Sequence, residues 1–398
     1  MMRGSLICLI AAALAGLTSI VQGAYVPADP WDDGRSGLGA VTEGIVGPAH
    51  TEEAAVIYVS NDDWFTLPPL NYIPPPYHRD ALEGVRICLD PGHAGGVIRE
   101  DGRISEAIMN LEVALMLREF LQASGAEVVM TRETGEDTPN EGNLEWRARL
   151  ADRENCDFFI SIHQNATRRE SANYISVWYH SRPDHPCAAN DLARWVTVEL
   201  HRLLRHHEPQ HAGLYSSWLM YPPRGLADGY RHDTTEGLPS GFGVLRSLRV
   251  PGILIEGAFQ SHPEGAQQLR DREYLRRMAW GLYTGILNYV WAGIPSIALH
   301  EDQTEVVEGP RPEIHLSLDD GMHERWARNA PPRIHFETLR VYIDDERATL
   351  RYRPQTAEIF ATPGEDLAPG EHTVRLRVLN VWGNWSWPTE IPFTVGGT

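Results

Sequence analysis

Three short runs constrain the fold of this chain more than anything else in it. "RICLD" (Arg86–Asp90), "CDFFISIH" (Cys156–His163) and "VPGILIE" (Val250–Glu256) are almost continuously apolar, and each ends on an acid or an imidazole. A strand with water on one face alternates polar and apolar residues; one covered on both faces does not. Between the runs lie segments with helical spacing: "SEAIMNLEVALMLREFLQASG", "LEWRARLADREN", "AANDLARWVTVELHRLLRHH" and "DREYLRRMAWGLYTGILNYVWAG". Ile108, Leu111, Leu115 and Phe120 give the first an apolar face, with Ser105 as its N-cap and Gly125 as its stop. "AEVVMTR" and "SANYISVWYH" read as further strands. Buried strands alternating with helices predict an α/β domain over 84–292, a mainly parallel sheet flanked by helices.

The chain has 398 residues, more than one ordinary domain needs. Residues 24–83 are rich in Pro and Gly and read as irregular, with a strand at Ala55–Val59. Residues 293–311 read as a linker. Beyond them, "EIHLSL", "LRVYIDD", "TLRYRP", "HTVRLRVLNVWGN" and "EIPFTVGG" are short alternating runs separated by turns, so 312–398 is expected to be a small all-β sandwich. Trp382, Trp385 and Trp387 read as core and cross-strand aromatics, with a sugar-stacking platform as the other reading.

Residues 1–23 have the form of a signal peptide: Arg3, an apolar stretch from Leu6 to Val21, and small residues before a cut after Gly23. The expectation is export to the periplasm or cell wall, with no integral membrane segment after cleavage. Cys88, Cys156 and Cys187 remain, an odd number; Cys88 and Cys156 fall in apolar strands and read as small core side chains.

A formal net charge of -19 argues against nucleic acid as a partner. All basic residues are arginine. Without lysine there is neither a Schiff base nor a P-loop.

Function in an open parallel α/β sheet sits at the carboxyl ends of the strands. There the chain offers His93, just past "RICLDPG"; His163; and Glu256, with Glu106 opening the helix that follows the first of these strands. Two histidines and one carboxylate, with a fourth position left for water, are a catalytic zinc set. The other carboxylate is then available as a general base, and the spacing does not say which carboxylate is which. His207-Glu208-Pro209-Gln210-His211 has the helical zinc-peptidase spacing, but Pro209 is incompatible with the helix that motif requires.

"ICLDPGHAGG", "SEAIMNLEVALMLREFLQASGAEVVMTR", "RARLADRENCDFFISIHQNA" and "VPGILIEGAFQSHPEGAQQL" resemble, in order, the blocks of zinc-dependent N-acetylmuramoyl-L-alanine amidases of the amidase-3 type. The resemblance implies one Zn²⁺ per chain held by His93, Glu106 and His163, with Glu256 as the catalytic carboxylate and peptidoglycan as substrate. The C-terminal region resembles Ig-like or fibronectin-III-like modules. Departures are Ala94 for a usual glycine, Ala107 for a usual basic residue, and a long segment at 206–245. The competing readings are a non-catalytic wall-binding protein on the same fold and a zinc peptidase of another cell-wall amide.

Overall fold

A computed structural model describes residues 79–94, 105–135, 143–180, 186–204, 213–220, 241–322 and 331–396. The signal peptide, the Ala55–Val59 strand and the His207–His211 motif lie outside them.

The first body is built on a six-stranded sheet. Its strands are β1 (Arg86–Pro91), β2 (Glu127–Met130), β3 (Phe158–Asn165), β4 (Ser176–Tyr179), β5 (Leu214–Ser216) and β6 (Gly252–Phe259). They lie in the order β2-β1-β3-β6-β4-β5. Neighbours are parallel except β4 and β6, so the sheet is mixed, with a parallel half carrying β1, β3 and β6. The helices are α1 (Glu106–Ala123), α2 (Leu144–Arg153), α3 (Ala188–Leu204), α4 (Gly243–Arg246), α5 (Pro263–Gln268) and α6 (Arg272–Trp291).

The two-sided cover expected from the apolar runs is present. Ile87, Leu89, Phe158, Ile160, Ile162, Ile253 and Ile255 share a core with α1, α3 and α6. The alternate positions Cys88, Phe159 and Leu254 share a smaller core with α2, α4 and Cys156. Side chains alternate across a strand, so burying both faces requires an unbroken apolar run. Cys88, Cys156 and Cys187 are not joined in disulfides, and the first two are buried.

Ser105 and Gly125 bound α1 as expected, although the Ser105 side chain makes no cap bond. Part of the 206–245 segment is regular structure: β5 extends the sheet edge, and α4 begins at Gly243.

The second body is a sandwich of two sheets around one core. Its strands are β7 (Ser296–Leu299), β8 (Val306–Val307), β9 (Ile314–Asp319), β10 (Arg340–Ile343), β11 (Glu346–Arg347), β12 (Thr349–Arg353), β13 (Glu358–Thr362), β14 (Gly370–Arg377) and β15 (Glu390–Val395). One sheet has the order β11-β10-β14-β15-β8 and the other β12-β13-β9-β7. Residues 293–311, read as a linker, contribute β7 and β8, which pair with β9 and β15.

The sandwich docks on α3 and α6 through the loop after β14. Asn384 donates to the carbonyls of Tyr289 and Gly293 and accepts from the Trp195 indole at 2.9 Å. Asp191 accepts the Trp385 amide at 2.8 Å, and the Trp387 indole donates to the Tyr289 hydroxyl at 2.9 Å. For Trp385 and Trp387 this corrects the sugar-platform alternative, whereas Trp382 is 43% exposed. Trp385 is 3% exposed, and Trp387 packs near Phe158 inside the seam.

Candidate metal centre

β1 and β3 run side by side, with Pro91 paired to Ile162. β3 and β6 pair His163 with Glu256, so these two leave the same face of the sheet. The strands therefore deliver three of the four expected residues to one edge. α1 supplies the fourth, because Glu106 is its first residue.

The three donors converge. His93 Nε2 and His163 Nδ1 each lie 3.1 Å from Glu106 Oε1. The two rings are nearly perpendicular, at 78° with centroids 4.8 Å apart. Around a tetrahedral zinc with bonds of about 2.0–2.1 Å, neighbouring ligand atoms stand about 3.3 Å apart. Two imidazoles and a carboxylate at this spacing fit that ion.

Glu106 is held by more than the imidazoles. Its Oε1 accepts the Gln164 amide at 3.0 Å and the Asn110 side chain at 3.3 Å, and its Oε2 accepts from Gln260 at 3.1 Å. Burial works against its charge, but hydrogen bonds from His163 and His93 outweigh that and hold the carboxyl well below the usual range. Glu256 is in the opposite situation. Its Oε2 is buried without a hydrogen-bond partner. Burial, and then the charge of Glu106, push it well above the usual carboxylate range. The two carboxylates thus differ in kind: one is fixed and ionised, the other unsatisfied and inclined to hold a proton.

The turn after β1 is not the glycine turn that "DPGH" suggests. The left-handed residue is His93, with φ of 56°. Gly92 is required for a different reason: a Cβ there would lie 2.2 Å from the His163 ring. Two buried arginines keep the turn in place. Arg147 donates to Asp90 at 2.6 Å and to the His93 carbonyl at 3.0 Å. Arg132 donates to the carbonyls of Pro91, Gly92 and Ala107. Asp90, 1% exposed, also accepts from Thr131 and Ser161, both at 2.7 Å. Sequence reasoning missed these supports. The visible signals were an acid and a serine inside otherwise apolar strands, and two arginines on elements that pack against them.

A family profile described as N-acetylmuramoyl-L-alanine amidase matches residues 87–288, half of the chain. The germination-specific N-acetylmuramoyl-L-alanine amidase of Bacillus subtilis is 28% identical over 248 residues, covering 58% of this chain and 86% of that protein. The amidase LytC of the same organism is 26% identical, over 53% of this chain and 36% of its own length. AmiC of Escherichia coli is 24% identical, over 56% of this chain and 57% of its own length. The chain thus spans little more than half, or less, of the length of the latter two. Among solved structures, AmiC2 of Nostoc punctiforme is 24% identical with a TM-score of 0.41, covering 52% of this chain and 98% of that one. The CwlD amidase of Clostridioides difficile, solved with the GerS lipoprotein, is 23% identical with a TM-score of 0.39 over the same shares. The family match runs from β1 to α6 and spans all four strand-end and helix-start residues, and this chain belongs to the N-acetylmuramoyl-L-alanine amidases.

Proposed function

We propose that the protein is an exported, zinc-dependent hydrolase of the amide between N-acetylmuramic acid and L-alanine in peptidoglycan. The observation that carries the zinc reading is the convergence of His93 Nε2, Glu106 Oε1 and His163 Nδ1 in a perpendicular-ring arrangement. These three residues would hold the ion, which when bound polarises the scissile carbonyl and acidifies a water.

The remaining work falls to Glu256. Its Oε2, buried and unpaired, takes a proton from the attacking water and hands it to the departing alanine nitrogen. An amide nitrogen that left unprotonated would be an anion, so its departure needs this proton. Glu256 acts from its ionised form, and its raised affinity for a proton lets it hold the one it has taken until the nitrogen departs. Gln260, Asn110 and the Gln164 amide keep Glu106 oriented as a ligand.

The Ig-like reading of residues 312–398 is supported by the two-sheet architecture, and docking on α3 and α6 makes the sandwich a fixed extension of the amidase body. Export is supported by the form of residues 1–23 and by the cell-wall amidases among the relatives; no helix among the described residues is long and apolar enough to cross a membrane.

The test is to incubate the protein with purified peptidoglycan and label newly exposed amino groups. L-alanine as the labelled residue supports the reading. Labelling of another residue would favour a peptidase, and no labelling a wall-binding protein.

A further inference from the structure

Outside the amidase body, a second set of metal donors stands on the outer face of the β12-β13-β9-β7 sheet. His300 follows β7, His315 lies in β9 and Glu358 opens β13. Each offers one donor atom, all within 4.8 Å of one another. The register brings them together. The His300 amide donates to the His315 carbonyl at 3.0 Å, and His315 pairs with Phe360, two residues past Glu358. His315 and Glu358 are therefore diagonal neighbours on one face. That face is opposite the core, into which Ile314, Leu316 and Ile359 point.

The two oxygens of Glu358 are divided. Oε2 accepts from the Thr356 hydroxyl at 2.6 Å and from Arg353 at 3.3 Å. Oε1 is turned to His315 Nε2 at 3.3 Å and His300 Nε2 at 3.7 Å. His315 Nε2 is buried and makes no hydrogen bond. A buried polar atom left in that condition calls for a water or an ion. Ligand atoms around a tetrahedral zinc stand about 3.3 Å apart, close to both spacings.

We propose that His300, His315 and Glu358 form a second zinc site, separate from the amidase centre, that ties β7 to β9 and β13. Binding requires one rearrangement. His300 stacks on His315 with centroids 3.8 Å apart and planes at 14°, so both lone pairs do not yet meet at one point. His315 is fixed between His300 and Phe360, whose ring lies 4.3 Å away on the other side. His300 is therefore the ring that tips. Its Nδ1 now accepts the Asp302 amide at 3.2 Å. Once Nε2 binds, Nδ1 carries the proton, and Asp302 Oδ2 at 3.6 Å is placed to accept it. Arg351 and Arg353, stacked over Phe360, add positive charge nearby. With a single carboxylate, the site suits an imidazole-seeking ion such as zinc and not calcium or magnesium.

The test strips the full chain with chelator, reloads it with ZnCl₂, dialyses it and measures zinc by mass spectrometry. The expected stoichiometry is two zinc ions per chain for the unaltered protein and one each for His315→Ala, Glu358→Gln and His93→Ala. Zinc should raise the melting temperature of His93→Ala but, at the sandwich transition, not that of His315→Ala. Equal stoichiometry in the unaltered protein and His315→Ala would overturn the proposal. Loss of the ion in His93→Ala reports separately on the amidase centre. Should circular dichroism show His315→Ala unfolded, His300→Ala and Glu358→Gln supply the same comparison.

Discussion

A methyl group placed on Gly92 would lie 2.2 Å from Nε2 of His163. The backbone of the His93 turn and the ring of His163 thus occupy adjoining space, and no side chain fits between them. Gly92→Ala is expected to leave the α/β body folded, because the residue lies past the end of β1. It should displace His163 and weaken zinc binding by about 10- to 100-fold, the range seen when a ligand's support is altered. Zinc titration with folding followed by circular dichroism checks this. Unchanged affinity would show that the ring adjusts without cost.

Glu256→Gln keeps the shape of the side chain and removes its capacity to take a proton. Zinc content should match the unaltered protein, while turnover falls by about 10²- to 10⁴-fold, the usual contribution of a positioned acid–base group. Loss of zinc in this variant would reassign Glu256 as a ligand.

Arg147 and Asp90 form a buried ion pair behind the His93 turn, with side chains 3% and 2% exposed. Removing one partner leaves an uncompensated charge, so Arg147→Met should cost about 3–5 kcal/mol of stability. It also releases the His93 carbonyl, so zinc affinity should fall with it. Asp90→Asn added to Arg147→Met should recover part of the stability and none of the zinc affinity. Denaturant unfolding and zinc titration of both variants separate the two effects.

Asp191 is buried at the seam between the bodies, and burial pushes its carboxyl from 3.8 up to about 7, against the pull of Arg194 and the Trp385 amide. The folded state therefore keeps a proton that the unfolded chain releases. Stability from this group is greatest below about pH 4 and declines by about 1.4 kcal/mol per unit as pH rises toward 7, then levels off. Asp191→Asn should lack that decline while still accepting the Trp385 amide. The melting temperature of the unaltered protein relative to Asp191→Asn should therefore fall steadily from pH 4 to 7 and then flatten. Parallel curves would contradict a protonated Asp191.

The amidase body was legible because its strands are buried on both faces: an unbroken apolar run has no reason to end on His163 or Glu256 unless the strand end is put to use. The direction of β4 was not legible, since "SVWY" reads the same in either sense. In the sandwich, β9, β10, β12, β14 and β15 were found from alternation. β13 was missed because in "EIFAT" Phe360 lies on the outer face between the core residues Ile359 and Ala361, so the run does not alternate. β7 and β8 were missed because each acquires its strand character from a distant partner. The four candidate site residues could be read from strand ends and a helix start, whereas Arg132, Arg147 and Asn110 could not. Their role lies in carbonyls and carboxylates that only the assembled fold brings to them.

Which bond the protein cleaves is decided by mass spectrometry of a digest of purified peptidoglycan. Intact stem peptides with free L-alanine amino termini are expected, separated from uncut glycan strands, and Glu256→Gln should release none of them. Fragments cut within the stem peptide or within the glycan would overturn the assigned bond, and equal release by Glu256→Gln would overturn the assigned proton carrier.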